Sequence, residues 1–517
     1  GSGNFLTETY ISLRRLENDA LYEETHGQMM LGDNDVIQVS ISQFYGIEIN
    51  DFAVTVAKTA LWIAESQMMQ ETETLMQINL DFLPLKSYAN IVEGNALRTD
   101  WAEVVDKEKL SFIMGNPPFI GHNVRNDSQK SDMEYVFGKM KTDKSDYVIA
   151  WFYKAALYMK GTSIHTAFVA TNSVCQGVSV GVIWKALFEL GYKIDFAWKS
   201  FIWDSEASEK AHVHVIIAGF SIENNSRKPT LYDENGPHKC TNINGYLLDA
   251  PDICMERRSE PISSVPKIRV GSLPRSSAFT VTTEEKPLFI EDNPLCAKWI
   301  KPYIGAEEFI NGKERYCLWM KGADIRELRS CRMVMERINK VREDRLASPA
   351  ETTRRTADTP TLFAVDAQPD TNYLIIPQVS SERRRYVPIG FMSPDVIASN
   401  LVFVVPDATL FHFGVLTSSV HNAWMRITCG RMKSDYRYGG DLVYNNFVWP
   451  LLDKDAENII HQKIEQSAQA ILDARALYPN LSYADMYDDL VMPPELRKAH
   501  RANDVAVLEA YGFPKDA

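Results

Sequence analysis

Two consecutive prolines, Pro117 and Pro118, follow the apolar, strand-like run Ser111-Phe112-Ile113 within the segment Met114-Gly115-Asn116-Pro117-Pro118-Phe119-Ile120-Gly121. Each proline fixes its own φ and disfavours helix at the residue before it, so the chain must leave the strand as a stiff, extended loop. The Asn116 side-chain carbonyl and the Pro117 main-chain carbonyl are then expected to point one way, and Phe119 adds a flat apolar face. Two acceptors beside a stacking surface suit an exocyclic amine such as that of adenine. Its lone pair is delocalised into the ring, and it becomes a useful nucleophile only when both N–H groups are bound. A base taken out of a duplex needs the same two features. The tetrapeptide alone also fits a plain turn with a buried Phe.

The preceding residues add context. Gly1-Ser2-Gly3 leads into Thr7 to Leu16, whose apolar residues line one helical face, and glycines before a helix N-terminus allow close approach of backbone amides to a ligand. A cloning remnant would read the same way. Phe44 to Ile49 reads as a short strand carrying Glu48 at its end, with Asn50 as N-cap of a helix from Asp51 to about Gln70. A carboxylate there can grip ribose hydroxyls or stand as a solvated charge. Ile91-Val92-Glu93-Gly94-Asn95 is another strand-to-loop passage, in which Asn95 is either a base-binding amide or a turn residue. Gly-Ser-Gly, Glu48, Asn95 and Asn-Pro-Pro-Phe thus mark successive strand ends, and the longer gaps have room for a crossover helix.

Ordered in this way, the motifs resemble the amino-methyltransferases that use S-adenosylmethionine. Further along, Ser145 to Phe152, Phe168 to Ser173, Phe201-Ile202-Trp203 and Ala211 to Phe220 look like the remaining motifs of that fold. Tyr303 to Gly312, Arg431 to Tyr438, Tyr444-Asn445-Asn446-Phe447, Trp449-Pro450 and the Met492 to Leu496 segment resemble the MmeI-like family of single-chain restriction-modification enzymes, which methylate adenine at N6. The resemblance spans essentially the whole chain. It implies an α/β, Rossmann-like methyltransferase domain over 1–225, a mixed α+β target-recognition domain over 226–450 and a helical segment over 451–517. S-adenosylmethionine is the implied cofactor, held by Gly1, Ser2, Gly3, Glu48, Asn95, Asp146 and Phe152, although core packing fits Phe152 equally well. Asn116, Pro117, Pro118 and Phe119 are the implied catalytic loop, and Trp203 the implied second stacking face over the base, although a core Trp fits equally well.

In the family an Asp-Pro-Ala-Cys strand end, a helical linker and a nuclease domain precede the glycine loop. The chain is therefore expected to be part of a larger enzyme, to lack the central first strand of its sheet, to leave sheet edges unpaired, and not to cut DNA. An upstream polypeptide is an expected partner.

Composition sets outer bounds. The 517 residues, 45% hydrophobic and 24% charged, have room for two or three domains. No apolar run approaches the roughly 18 residues of a membrane span. Seven cysteines without Cys-x-x-Cys pairing point away from a disulfide framework or a zinc site and towards a reducing cytoplasm. His212 and His214 alternate on a strand without a third ligand of suitable spacing, so no metal is expected. A net charge of −13 runs against polyanion binding unless basic residues cluster, and they do: Arg332 to Arg345, Arg354-Arg355, Arg383-Arg384-Arg385, and Arg431, Lys433 and Arg437. Double-stranded DNA is the expected partner. Arg384 can fork onto a guanine edge and Glu382 accept from a cytosine amine, the two sharing one face of a strand; phosphate contact is the alternative.

Other functions stay open at this point. A protein-glutamine N5-methyltransferase uses a similar loop but needs no arginine-rich second domain. A cytosine-N4 enzyme usually has Ser or Asp where Asn116 stands. A specificity fragment would bind DNA without cofactor.

Overall fold

The computed structural model describes residues 3–25, 37–77, 89–142, 144–203, 213–222, 228–451 and 454–516. Its contacts divide the chain into two compact units. One holds residues 1–175 and 179–254, the other 176–178 and 255–517.

In the first unit, helix α1 (Asn4–Thr25) packs on α2 (Asp51–Met76), which follows strand β1 (Tyr45–Glu48). Asn50 caps α2 as the sequence indicates, its Oδ1 accepting the Ala53 N–H at 2.9 Å. Strand β2 (Asn90–Glu93) pairs with β1 in parallel, in the register Glu48 opposite Glu93. After β3 (Phe112–Gly115) come α3 (Asp127–Phe137), α4 (Ile149–Tyr158), β4 (His165–Thr171), β5 (Lys193–Trp203), β6 (Val213–Ser221), β7 (Thr230–Asp233) and β8 (Gly236–Lys239). These six strands form one sheet, in the order β3-β4-β6-β5-β7-β8. The sheet is mixed where the alternating pattern suggests a parallel one. β6 enters antiparallel between β4 and β5, and β8 folds back on β7. Consecutive strands with short connections pair as antiparallel neighbours, which helix-period reading does not register. β7 and β8 lie beyond residue 225 yet extend this sheet, so the first unit continues to Cys254.

β1–β2 and the six-stranded sheet are separate. Among the described residues β1 pairs only with β2, and β3 only with β4, so each has one edge without a strand partner there. The main core lies between the six-stranded sheet and α4, whose Ile149, Ala150, Phe152, Ala155 and Ala156 are all wholly buried.

The second unit builds two four-stranded sheets and one of three strands. Helices α5 (Arg332–Leu346) and α6 (Ser419–Thr428) accompany them, and the chain ends in α7 (Lys454–Ala476) and α8 (Pro494–Ala510). Ile464, Ala468 and Ile471 recur at helical spacing on α7 and are fully buried in the core that also holds Leu374 and Val405 of the sheet strands. No helix among the described residues is long and apolar enough to cross a membrane.

Candidate active site and nucleic-acid interface

The Asn-Pro-Pro-Phe loop leaves the carboxyl end of β3, where open α/β sheets bind ligands. All its peptide bonds are trans. Pro117 is buried and Phe119 half-buried against the main core, while Asn116 is exposed. Its amide makes no hydrogen bond among the described residues. The polar residue is thus offered outward by a loop anchored through Pro117 and Phe119.

Asp146 does the anchoring. It lies in the turn just before α4, and its Oδ1 accepts the Ile120 N–H at 3.2 Å, next to Phe119. Its Oδ2 accepts from Thr171 Oγ1 at 3.0 Å and Ser173 Oγ at 3.3 Å, at the carboxyl end of β4. Asp146, expected at a cofactor wall, therefore ties the loops after β3 and β4 together. Phe152 requires a correction. It has 0% exposure and is enclosed by Phe168, Trp184 and Phe220 at ring distances of 5.2–5.8 Å, so it packs the core and presents no face to a ligand.

The remaining cofactor candidates lie at the ends of β1 and β2. Glu48 closes β1, and its carbonyl accepts the Gly94 N–H at 2.9 Å, which brings the Asn95 loop beside it. Asn95 is engaged at both ends, Oδ1 accepting the Leu97 N–H at 2.9 Å and Nδ2 donating to Asp132 at 3.0 Å. Gly3 precedes α1 with φ +82°, and a Cβ there would stand 2.7 Å from that of Ala57 on α2, so only glycine fits. Gly1 and Ser2 lie outside the described residues. So do Asp204 to Lys210 and His212. Trp203 is half-buried at the carboxyl end of β5, which runs parallel to β4, and its ring neighbours Phe201 at 6.4 Å. No group of three His, Cys, Asp or Glu among the described residues is placed to hold a metal.

Sequence reasoning missed Asp132 and Tyr147. Asp132 on α3 is 3% exposed and accepts from Tyr147 OH at 2.6 Å, Arg98 Nε at 2.6 Å and Asn95 Nδ2 at 3.0 Å. Burial pulls its pKa upward, but these hydrogen bonds outweigh that and leave it below the usual carboxylate value. In a polar helix such as α3 a lone Asp reads as a solvated charge. Only its tertiary partners distinguish it.

In the second unit, strands β9 (Val379–Ser380), β10 (Gly430–Met432) and β11 (Asp435–Arg437) form the small sheet, ordered β9-β11-β10. Lys433 sits at the tip of the β10–β11 hairpin with φ +58°. Glu382 and Arg384 follow β9, and here the expected shared strand face is corrected. The chain turns at Ser381, whose carbonyl accepts the Arg384 N–H at 3.2 Å and whose Oγ accepts the Arg383 N–H at 3.3 Å. Serine's competing side-chain bond ends the strand. Arg431 reaches Glu382 at 3.4 Å, donates to the Ser434 carbonyl at 2.9 Å and stacks on Tyr436 at 4.4 Å. Because Arg431 pairs with Tyr436 and Gly430 with Arg437, Arg431 and Arg437 point to opposite faces of the hairpin.

The turn itself is rigidly held. Arg426 Nη2 donates to the Arg384 and Arg385 carbonyls at 3.2 and 2.6 Å, Asn422 Oδ1 accepts the Val387 N–H at 3.0 Å, and Tyr386 OH donates to Asp504 at 2.6 Å. The earlier basic cluster is largely spent on structure. Arg332, Arg337 and Lys340 are ion-paired, and wholly buried Arg345 donates to the carbonyls of Pro274, Thr356, Thr359 and Leu362.

Residues 1–233 match the family model for the MmeI DNA-methyltransferase domain, 249–451 that for the MmeI target recognition domain and 455–517 that for the MmeI C-terminal domain. DNA methyltransferase A of Bacillus subtilis (strain 168) is 39% identical over 521 residues; the match takes in 99% of this chain and 58% of that protein's length. The solved structure of the type IIL restriction-modification enzyme MmeI in complex with DNA is 42% identical, with a TM-score of 0.91, over 99% of this chain and 69% of the other. The methyltransferase, recognition and C-terminal parts therefore follow one another here as they do in that enzyme, and the chain belongs to the MmeI family.

Proposed function

We propose that this chain is the modification and specificity part of a restriction-modification enzyme, transferring a methyl group from S-adenosylmethionine to adenine N6 within a specific double-stranded DNA sequence. The observation that carries this reading is the exposed Asn116 on a proline-stiffened loop at the carboxyl end of β3, clamped at Ile120 by Asp146. Asn116 Oδ1 and the Pro117 carbonyl would accept the two amine hydrogens of an extruded adenine, and Phe119 would stack on its ring, with Trp203 proposed for the opposite face. Orientation and acceptors placed where the amine becomes positive supply the rate enhancement. Bound S-adenosylmethionine supplies an electrophilic methyl group. The Glu48 carboxylate would accept its hydroxyls, beside the Asn95 loop at the neighbouring strand end.

Sequence reading is assigned to Glu382 and Arg384 on the braced turn and to Arg431 beside them, with Lys433 and Arg437 proposed as phosphate contacts. The seven cysteines, none in a disulfide, support a cytoplasmic location. The edges of β1 and β3 that lack a partner among the described residues suit a strand from an upstream polypeptide, and they also favour a second reading, DNA binding without catalysis.

One assay separates these readings. The chain is titrated with S-adenosylmethionine by calorimetry, then incubated with labelled cofactor and random-sequence duplex DNA, which is digested to nucleosides. N6-methyladenine is expected. N4-methylcytosine, label in protein, or DNA binding without cofactor binding would each select a different function.

A further inference from the structure

Three separate segments meet at one buried carboxylate. Asp132 Oδ2 accepts both from Asn95 Nδ2, in the loop after β2, and from Tyr147 OH, while its Oδ1 accepts from Arg98 of that same loop. Tyr147 also grips the loop after β3, donating its backbone N–H to the Ile120 carbonyl at 3.0 Å. Its neighbour Asp146 takes the Ile120 N–H at 3.2 Å, so residue 120 is held through both of its backbone polar groups by consecutive residues. The path Asn95–Asp132–Tyr147–Ile120 therefore runs without a break from one strand end to the next.

We propose that Asp132 is a positioning residue that locks the Asn95 loop and the Asn-Pro-Pro-Phe loop to each other through Tyr147. This rests on the reading of those loops as cofactor and base sites, and deepens it: donor methyl and acceptor amine must be aligned at the same moment, and a small misplacement of either forfeits much of the rate. A carboxylate suits the task because it accepts several hydrogen bonds at once and strengthens each by its charge. Lys154 of α4 also holds the Leu97 and Thr99 carbonyls, at 2.9 and 2.6 Å, but it makes no bond to the loop after β3. The Asp132–Tyr147 pair joins the two loops directly.

Tyr147→Phe removes only the hydroxyl. Tyr158→Phe is the matched control, since Tyr158 ends α4, the helix that Tyr147 leads into, and its OH donates to the Val105 carbonyl at 2.6 Å, outside this path. Hydrogen–deuterium exchange is measured on the full chain without ligand. In Tyr147→Phe, peptides covering 95–99 and 116–121 should both exchange faster, by about tenfold, with β4 unchanged. Tyr158→Phe should move neither. Acceleration of one loop only, of neither, or of both in the control would overturn the coupling.

Methyl transfer then tests its purpose. Tyr147→Phe should raise KM for S-adenosylmethionine and lower kcat, each several-fold, while KM for DNA stays constant. Its effect should also be non-additive with that of Asn95→Ala. Unchanged kcat and KM alongside loosened loops would overturn the positioning role. Failure of the parent chain to methylate DNA would instead refute the function proposed above, and with it the catalytic purpose of the lock, while the exchange result still decides whether the two loops are joined.

Discussion

At the scale of single residues, Asn116 and Phe152 mark what sequence reading can and cannot see. The double proline dictates an extended loop whatever surrounds it, so the outward Asn116 was legible from four letters. Asn116→Ala should lower kcat by at least about a hundredfold, as loss of one transition-state acceptor does, with the Kd for DNA within about twofold. Single-turnover methylation and fluorescence anisotropy test the two halves. Activity within about tenfold of the parent would remove Asn116 from the catalytic machinery. Phe152 was left open between cofactor wall and core, and Asp132 was missed, for one reason. Burial and partners come from chain segments far away in sequence, and neither a Phe in an apolar helix nor an Asp in a polar one carries a local sign of them. The same holds for Asp146, whose place near the site was anticipated but whose bonds to Ile120, Thr171 and Ser173 were not.

At the scale of elements, the Asn50 cap located the start of α2, because an N-cap is a local property. Charge along an element proved a poorer guide. The basic run on α5 suggests a DNA-binding face, yet Arg332, Arg337 and Lys340 have carboxylate partners and Arg345 caps buried carbonyls. The β10–β11 hairpin instead presents Lys433 and Arg437 exposed and without ion pairs among the described residues. If these two neutralise phosphates, Lys433→Ala and Arg437→Ala should each reduce the slope of log K against log salt by about 1, while Arg337→Ala and Lys340→Ala leave it unaltered. Binding isotherms at several salt concentrations read this directly. The opposite pattern would move the phosphate contacts to α5.

At the scale of the whole molecule, the mixed order of the six-stranded sheet was beyond sequence reading, because strand pairing is settled by long-range packing, whereas the succession of domains was readable from motif order. Stability against pH belongs to this scale too. His421 and His500 in the second unit are buried, each with Nε2 on a tyrosine hydroxyl, of Tyr438 and Tyr487 respectively, and with Nδ1 unpartnered. Burial pushes His421 down to about 3 and, with Arg475 and Arg385 adding repulsion, holds His500 well below its ordinary value. Both are therefore neutral in the folded state, whereas the unfolded chain takes up protons as the pH falls through about 6.5. The folded state binds fewer protons, so its stability is fully present above that pH and declines below it, by up to about 1.4 kcal/mol per pH unit for each histidine. Between pH 7.5 and pH 5 the pair should cost about 4 kcal/mol, seen as a lower urea midpoint for the second unit. His421→Gln retains a side-chain amide for Tyr438 but has no proton to gain, so its midpoint should fall by roughly half as much over the same range. A parent midpoint that is flat from pH 7.5 to 5 would mean that these histidines are charged in the fold or already neutral in the unfolded chain.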